Sequence, residues 1–284
     1  MTVSNKLVAH RDEMTPSERQ LANTLLDDYP IIGLSSITDL AQAASVSTTT
    51  VTRMLQKMGF DGFPQFQTAL RSELKEMISD PASKRKHLQS DLPEEHVLNR
   101  YSRKALGNQQ RSLDEVDAED FDRLCDLLSD PDRSIYISGG RITGTVARFL
   151  FLHMQMIRSD VRLVADGGAW PHDLLDIKKG DVVVVFDVRR YENTTLQLAQ
   201  MCGAKETEIV LFTDQWRSPI HRIATLTFAA HIAVPSAWDS CLPLLMLQEC
   251  TIAALQEDMW QSVKLRTERL ETAFDQTKLF RKFT

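Results

Sequence analysis

Residues 36–59, SITDLAQAASVSTTTVTRMLQKMG, contain two short helical patterns separated by a tight turn. Ser47 stands at the N-cap position of the second pattern, which runs to Met58, and Gly59 follows at a position where helices commonly end. At about 100° per residue, this second pattern divides into an apolar face and a polar face. Small residues at the helix crossing and one apolar residue in the turn, Val46, are typical of a helix-turn-helix.

The polar face of the second helix carries side chains suited to DNA. Threonine hydroxyls can reach phosphates or base edges, Gln56 can pair with adenine, and Arg53 can bond guanine bidentately. Lys57 is expected nearer the phosphate backbone. The alternative is a merely solvated helix face, but the turn between two capped helices favours DNA binding. The predicted DNA-binding residues are Ser47, Thr48, Thr49, Thr52, Arg53, Gln56 and Lys57.

The segments around this motif indicate a helical domain and its boundary. Thr15-Pro16-Ser17-Glu18 supplies an N-cap, a proline at the first helical position and an acid three residues after the cap. Residues 80–94 hold two prolines, a basic triplet and few apolar residues, which is typical of a linker. We expect a helix-turn-helix domain at 1–79, the linker at 80–94, and a second domain at 95–284.

Length and composition agree with two soluble domains. The chain has 284 residues and is 43% hydrophobic, which is enough for packed cores. The charged first residues lack the apolar core of a signal peptide, so a cytoplasmic protein without a membrane anchor is expected. A net charge of −6 argues against a protein that coats nucleic acid non-specifically, so DNA binding must be local. The four cysteines lack metal or disulfide spacing, and we expect no metal and no cofactor.

After residue 134 the pattern changes to short apolar runs that alternate with helical segments. This order predicts an α/β three-layer domain, in which helices cover both faces of a five-stranded parallel sheet. Ligands of such sheets bind at the carboxyl ends of the strands. The predicted strands are Ile135–Ser138, Val161–Ala165, Val182–Asp187, Ile209–Thr213 and Leu226–Ala229.

Residues 14–71 resemble the N-terminal domain of RpiR/MurR-type transcriptional regulators. The resemblance rests on the TPSE opening, the LA-x-x-A-x-V-S-x-x-T-V-x-R core and the GF-x-GF ending. It implies that the α/β domain is a SIS domain, a phosphosugar-binding fold shared with sugar isomerases. It also implies two partners, a double-stranded DNA operator and a small anionic, carbohydrate-derived effector. Because one helix contacts too few bases for useful specificity, we expect a homodimer or homotetramer.

The two loops that hold the sugar phosphate in SIS domains have a changed chemistry in this sequence. A SIS domain usually has a glycine-rich turn with a serine after its first strand, and a Ser/Thr-rich loop after its third. Here residues 139–145 read GGRITGT and residues 187–195 read DVRRYENTT. Because guanidinium groups bind carboxylates and phosphates, the expected ligand is a sugar phosphate or a sugar acid. The predicted ligand-binding residues are Arg141, Thr143, Thr145, Asp187, Arg189, Arg190, Tyr191, Thr194 and Ser240.

The sharpest of these expectations is one anion site formed by Arg141, Arg189 and Arg190 at a helix N-terminus. The alternative is that these arginines pair with nearby acids and fill the pocket, which leaves a dimerising scaffold that needs no ligand. The main alternative function is a sugar-phosphate isomerase with a carboxylate base such as Glu249 or Glu257. Fusion to a helix-turn-helix and loss of the Ser/Thr loop argue against an enzyme.

Overall fold

The computed structural model describes residues 2–91, 95–164 and 167–281. The chain divides into two compact units, Met1–Pro93 and Glu94–Thr284. This division falls inside the predicted linker at 80–94, where Pro81–Asp91 form a helix rather than an open chain. The domain limits expected from the sequence stay a prediction. Across the described ranges, no helix has the length and apolarity needed to span a bilayer.

The described part of the first unit is helical and surrounds one apolar core. Leu21, Leu40 and Leu55 are fully buried at its centre. They come from three helices and meet because each helix places apolar residues on one face. The helices of this unit are α1 (Val3–Ala9), α2 (Pro16–Asp27), α3 (Ile37–Ala43), α4 (Thr48–Lys57), α5 (Phe63–Ile78) and α6 (Pro81–Asp91).

Capping interactions in the first unit agree with the sequence signals. Thr15 accepts the backbone N–H of Glu18, and the Glu18 side chain accepts the backbone N–H of Thr15, which confirms the predicted capping box. Ser47 caps α4 by accepting a backbone N–H at 3.1 Å. Ser45, in the turn before α4, has a φ of 51°, and Gly59, after α4, has a φ of 80°. The two short helices and the tight turn expected from the sequence are therefore present.

The second unit is an α/β domain. Its strands are β1 (Ile135–Gly139), β2 (Val161–Leu163), β3 (Val182–Phe186), β4 (Glu208–Asp214) and β5 (Leu226–Ala230). Its helices are α7 (Val97–Asp114), α8 (Ala118–Ser129), α9 (Thr143–Ile157), α10 (Asp173–Asp176), α11 (Asn193–Gly203), α12 (Leu242–Asp258) and α13 (Trp260–Thr277). The strands form one parallel sheet in the order β2-β1-β3-β4-β5.

Successive side chains of β1, β3 and β4 pack into two different cores, one on each face of the sheet. Val182 and Val184 pack with α8, α9 and α12, whereas Val183 packs with α10 and α11. Helices thus cover both faces, which confirms the predicted three-layer fold. Four strands match their predicted limits to within one residue at each end. The second strand ends at Leu163, and Ala165, its last predicted residue, lies outside the described ranges.

Candidate DNA-binding helix and effector cavity

Helix α4 has the two faces that its sequence predicts. The side chains fully buried against the core are Val51, Met54 and Leu55. The exposed residues on the opposite side include Thr48, Thr49, Arg53 and Gln56. Two of the predicted DNA-binding residues already have partners in or next to the helix. Ser47 serves as the N-cap, and the Thr52 hydroxyl donates to the Thr48 carbonyl at 3.1 Å. The face is polar and accessible, and its contacts with DNA stay a prediction.

Lys57 has a partner that its sequence position did not indicate. Its Nζ atom lies 2.8 Å from Oε2 of Glu18, a fully buried carboxylate on α2, and Nε of Arg53 lies 3.7 Å from Oε1. Burial alone would raise the pKa of Glu18, but hydrogen bonds from Lys57 and Thr15 outweigh it and hold that pKa below its usual value. The structure thus gives Lys57 an additional role, because it neutralises a buried acid, and its contact with the phosphate backbone stays a prediction.

A cavity of about 480 Å³ lies at the carboxyl ends of β1 and β2. Its walls come from the turn Gly139–Arg141, from the first two turns of α9, from the start of α11, and from Val164 and Trp170. This position agrees with the expectation that ligands of a parallel sheet bind beyond its carboxyl ends. The predicted residues that the structure places at the cavity wall are Arg141, Thr145 and Thr194.

Two helix N-termini face this cavity without side-chain caps. The N-cap positions of α9 and α11 are Ile142 and Glu192, and neither side chain bonds to the first turn of its own helix. The exposed side chains of Arg141 and Arg148 also line the cavity, and neither makes an ion pair within the described residues. Uncapped backbone N–H groups, helix dipoles and guanidinium groups all attract anions. The arrangement can therefore hold a negatively charged group.

The carboxylate of Glu192 lies at the same cavity wall. Its Oε1 atom accepts the backbone N–H of Arg141 at 2.6 Å, across 51 residues of sequence. It also packs against Gly140, where an added Cβ atom would lie 2.5 Å from Oε1. A larger residue at position 140 would therefore require the Glu192 side chain to shift. The turn after β1 thus already accepts one anionic group, supplied by the chain itself.

Two of the predicted ligand-binding hydroxyls have structural roles. Thr143 is buried, and its hydroxyl donates to the carbonyl of Phe186 at 2.7 Å and accepts the backbone N–H of Gly140 at 2.8 Å. It therefore joins the turn after β1 to the end of β3. Ser240 is also buried, and its hydroxyl accepts the backbone N–H of the first residue of α12 at 3.3 Å. Neither hydroxyl lines the cavity.

The three predicted arginines are not gathered in one site. The guanidinium group of Arg189 is 6% exposed, lies 2.8 Å from Asp239, and stacks over Trp216 at 5.4 Å. Arg190 is exposed, has a φ of 66°, and does not line the cavity. This corrects the predicted cluster, of which Arg141 alone reaches the cavity. The reason is a carboxylate far along the chain, since Asp239 is separated from Arg189 by 50 residues.

Buried carboxylates hold the loop after β3. Asp187 accepts hydrogen bonds from the hydroxyl of Ser218 and from the backbone N–H of Glu192. Asp214 accepts the Tyr191 hydroxyl at 2.8 Å and the backbone N–H of Arg189. Burial raises the pKa of Asp187 to about 6 and the pKa of Asp214 to about 7. Asp187 and Tyr191, two predicted ligand residues, thus anchor the loop that ends at Glu192.

Sequence reasoning missed Arg148 and Glu192. Arg148 follows Thr145 by three residues on α9, so helical spacing from the glycine-rich turn could have placed it on the same side. Glu192 is one of the acids near the predicted arginines in sequence, but its observed partner is the backbone of Arg141. No local pattern signals that contact.

Comparison with known proteins supports both units. Residues 1–77 match the model of the helix-turn-helix domain of the rpiR family, and residues 127–254 match the SIS domain model. The chain is 24% identical over 252 residues to the HTH-type transcriptional regulator HexR of Escherichia coli, and this alignment covers 86% of this chain and 82% of that protein. It is 26% identical over 239 residues to HexR of Pseudomonas aeruginosa, and this alignment covers 82% of this chain and 79% of that protein.

Solved structures share the fold at low identity. The Vibrio vulnificus NanR protein complexed with ManNAc-6P matches with a TM-score of 0.58 and 16% identity, covering 98% of this chain and 99% of that one. The sugar isomerase domain of an RpiR transcription factor from Sphaerobacter thermophilus matches with a TM-score of 0.59, covering 63% of this chain and 99% of that one. These two structures show the shared fold, and the two family models, which match residues 1–77 and 127–254, assign the chain. It belongs to the RpiR family of helix-turn-helix transcriptional regulators, with a SIS domain after the DNA-binding domain.

Proposed function

We propose that this transcriptional regulator binds a small anionic, carbohydrate-derived effector in the cavity of its second unit, and that the effector changes its affinity for operator DNA. The polar face of α4 contacts the operator. The family assignment supports the regulatory role, and the lining of the cavity supports an anionic effector. The similarity to NanR, which was solved with a sugar phosphate, agrees with this class of ligand.

The observation that supports an anionic effector is the convergence of four positive groups on one cavity. Two helix N-termini without side-chain caps and the side chains of Arg141 and Arg148 border the same space. Charge-assisted hydrogen bonds to such groups are stronger than neutral ones. At α9 the N–H groups of Gly144 and Thr145 already donate to backbone carbonyls, so a phosphate or carboxylate would be held there by the helix dipole and the guanidinium groups.

The size and remaining wall of the cavity suit a sugar derivative. A volume of about 480 Å³ lies within the range of small-molecule sites. Hydroxyl groups of Thr145 and Thr194 can bond sugar hydroxyls, and Trp170 supplies an apolar surface. The isomerase alternative has less support, because Glu249 and Glu257 are exposed on α12 and do not line this cavity.

The proposal is tested by a thermal-shift screen of sugar phosphates and sugar acids, followed by operator titration with each compound that stabilises the protein. Arg141→Ala and Arg148→Ala should each weaken effector binding by about ten-fold or more, because each removes a charge-assisted contact. Arg123→Ala is the matched control, since it removes an exposed guanidinium on α8, away from the cavity. If no anionic sugar stabilises the wild type, or if Arg123→Ala weakens binding as much, the proposal fails.

A further inference from the structure

We infer that Glu192 is an internal anion that occupies the anion-binding turn after β1, and that an effector must displace it to bind there. Glu192 would then set which anions this cavity accepts. The inference rests on the proposed function, because it concerns the same cavity. It goes further by assigning a selective role to a residue that is itself negatively charged.

The geometry separates Glu192 from an ordinary helix cap. An aspartate at an N-cap usually bonds to the first turn of its own helix. Glu192 instead extends its carboxylate away from α11 and accepts the N–H of Arg141, in the turn that leads to α9. The first turn of α11 is left uncapped as a result. A carboxylate on a backbone N–H beside a helix N-terminus takes the place that a ligand phosphate or carboxylate would occupy.

The charge of Glu192 bears directly on ligand affinity. An incoming anion competes with the carboxylate for the N–H of Arg141 and, while Glu192 remains in place, experiences its repulsion. The same carboxylate reduces the positive field that Arg141 and Arg148 create at the cavity wall. Weakly bound anions such as free phosphate should therefore bind poorly, while an effector with further contacts can replace Glu192.

Displacement needs only a side-chain movement. The loop that ends at Glu192 stays anchored through Arg189 on Asp239 and Tyr191 on Asp214. Glu192 itself is half-buried and faces the cavity, so rotation of its side chain can release the turn. The released carboxylate lies beside the uncapped start of α11, where the helix dipole stabilises a negative charge.

The competing explanation is that Glu192 merely joins the starts of α9 and α11. Two variants distinguish the explanations. Glu192→Gln keeps an oxygen that can accept the N–H but removes the charge, and Glu192→Ala removes both. Isothermal titration of each full-length variant with inorganic phosphate measures anion affinity, and denaturant unfolding in phosphate-free buffer measures stability. Glu249→Gln, which removes an exposed carboxylate on α12, is the matched control.

We expect both Glu192 variants to bind phosphate about ten-fold or more tightly than the wild type, with Glu249→Gln unchanged. Equal or weaker phosphate binding by the variants overturns the inference, and a loss of stability without a gain in affinity identifies a structural link. Absence of phosphate binding by every variant also overturns it. The proposed function is judged separately, by the response of the wild type to sugar phosphates and sugar acids, so the two failures are distinguishable.

Discussion

Arg53 and Lys57 lie one helical turn apart on α4, yet their environments differ. Arg53 is 59% exposed and only approaches Glu18 at 3.7 Å, whereas Lys57 makes a direct ion pair with that buried carboxylate at 2.8 Å. A buried charge is costly unless partners neutralise it. Lys57 therefore stabilises the domain, and Arg53 remains available to bind a base.

Alanine variants should separate these two roles. Lys57→Ala is expected to lower the free energy of unfolding by about 1 to 2 kcal/mol, because Glu18 loses its closest cation but keeps the N–H of Thr15. Arg53→Ala should leave stability nearly unchanged and weaken operator binding by about 1 to 3 kcal/mol. Urea unfolding and operator titration at one salt concentration measure both quantities. Operator binding by Arg53→Ala equal to that of the wild type would contradict the proposal that the polar face of α4 contacts DNA bases.

The stability loss in Lys57→Ala should also depend on pH. The folded-state pKa of Glu18 lies below its usual value of 4.5, so the stabilisation is present above that value. It is lost as the pH falls through the lowered folded-state pKa, because the protonated carboxyl no longer attracts Lys57. The difference between wild type and Lys57→Ala should therefore be large at pH 7 and shrink in acid. An unchanged difference down to pH 2 would count against the ion pair.

At the scale of elements, the turn between β1 and α9 brings backbone unusually close to backbone. A Cβ atom on Gly139 would lie 2.6 Å from the carbonyl oxygen of Thr143 and 2.8 Å from the nitrogen of Gly144. A Cβ atom on Gly144 would meet only the Gly139 carbonyl oxygen, at 3.7 Å. Two glycines of the same turn thus have different steric requirements, because only Gly139 contacts a rigid neighbour.

Gly139→Ala should destabilise the second unit by about 1 to 3 kcal/mol, since the first turn of α9 must move. Gly144→Ala is the control and should be neutral or slightly stabilising, because alanine is favoured over glycine within a helix. Chemical denaturation followed by circular dichroism measures both. Equal effects of the two substitutions would mean that the close approach at Gly139 does not limit the turn.

At the scale of the whole molecule, helix α4, which is proposed to contact DNA, and the cavity beside β1 belong to different compact units. An effector can change DNA affinity only if it binds the DNA-competent and DNA-incompetent states with different affinity. We propose that the regulator works as a homo-oligomer. Effector binding then favours one arrangement of the α4 helices of two subunits.

A two-fold assembly should protect an inverted repeat. The expected footprint has two half-sites whose centres are one helical turn, about 34 Å, or a multiple of it apart. Light scattering of the purified protein should give a mass of two or four chains. A footprint on one unrepeated half-site, or a monomer at working concentration, would contradict this prediction.

Local signals in the sequence were sufficient to predict the helices and strands. Tertiary contacts determined which side chains line the cavity and which are paired elsewhere. The N-caps at Thr15 and Ser47 and the five apolar strands depend on neighbouring residues, and they were predicted because capping and periodicity act within a few positions. Ion pairs and hydrogen bonds between distant segments depend on how the chain packs. The contacts that only the tertiary structure decided are Lys57 with Glu18, Arg189 with Asp239, and Glu192 with the backbone of Arg141.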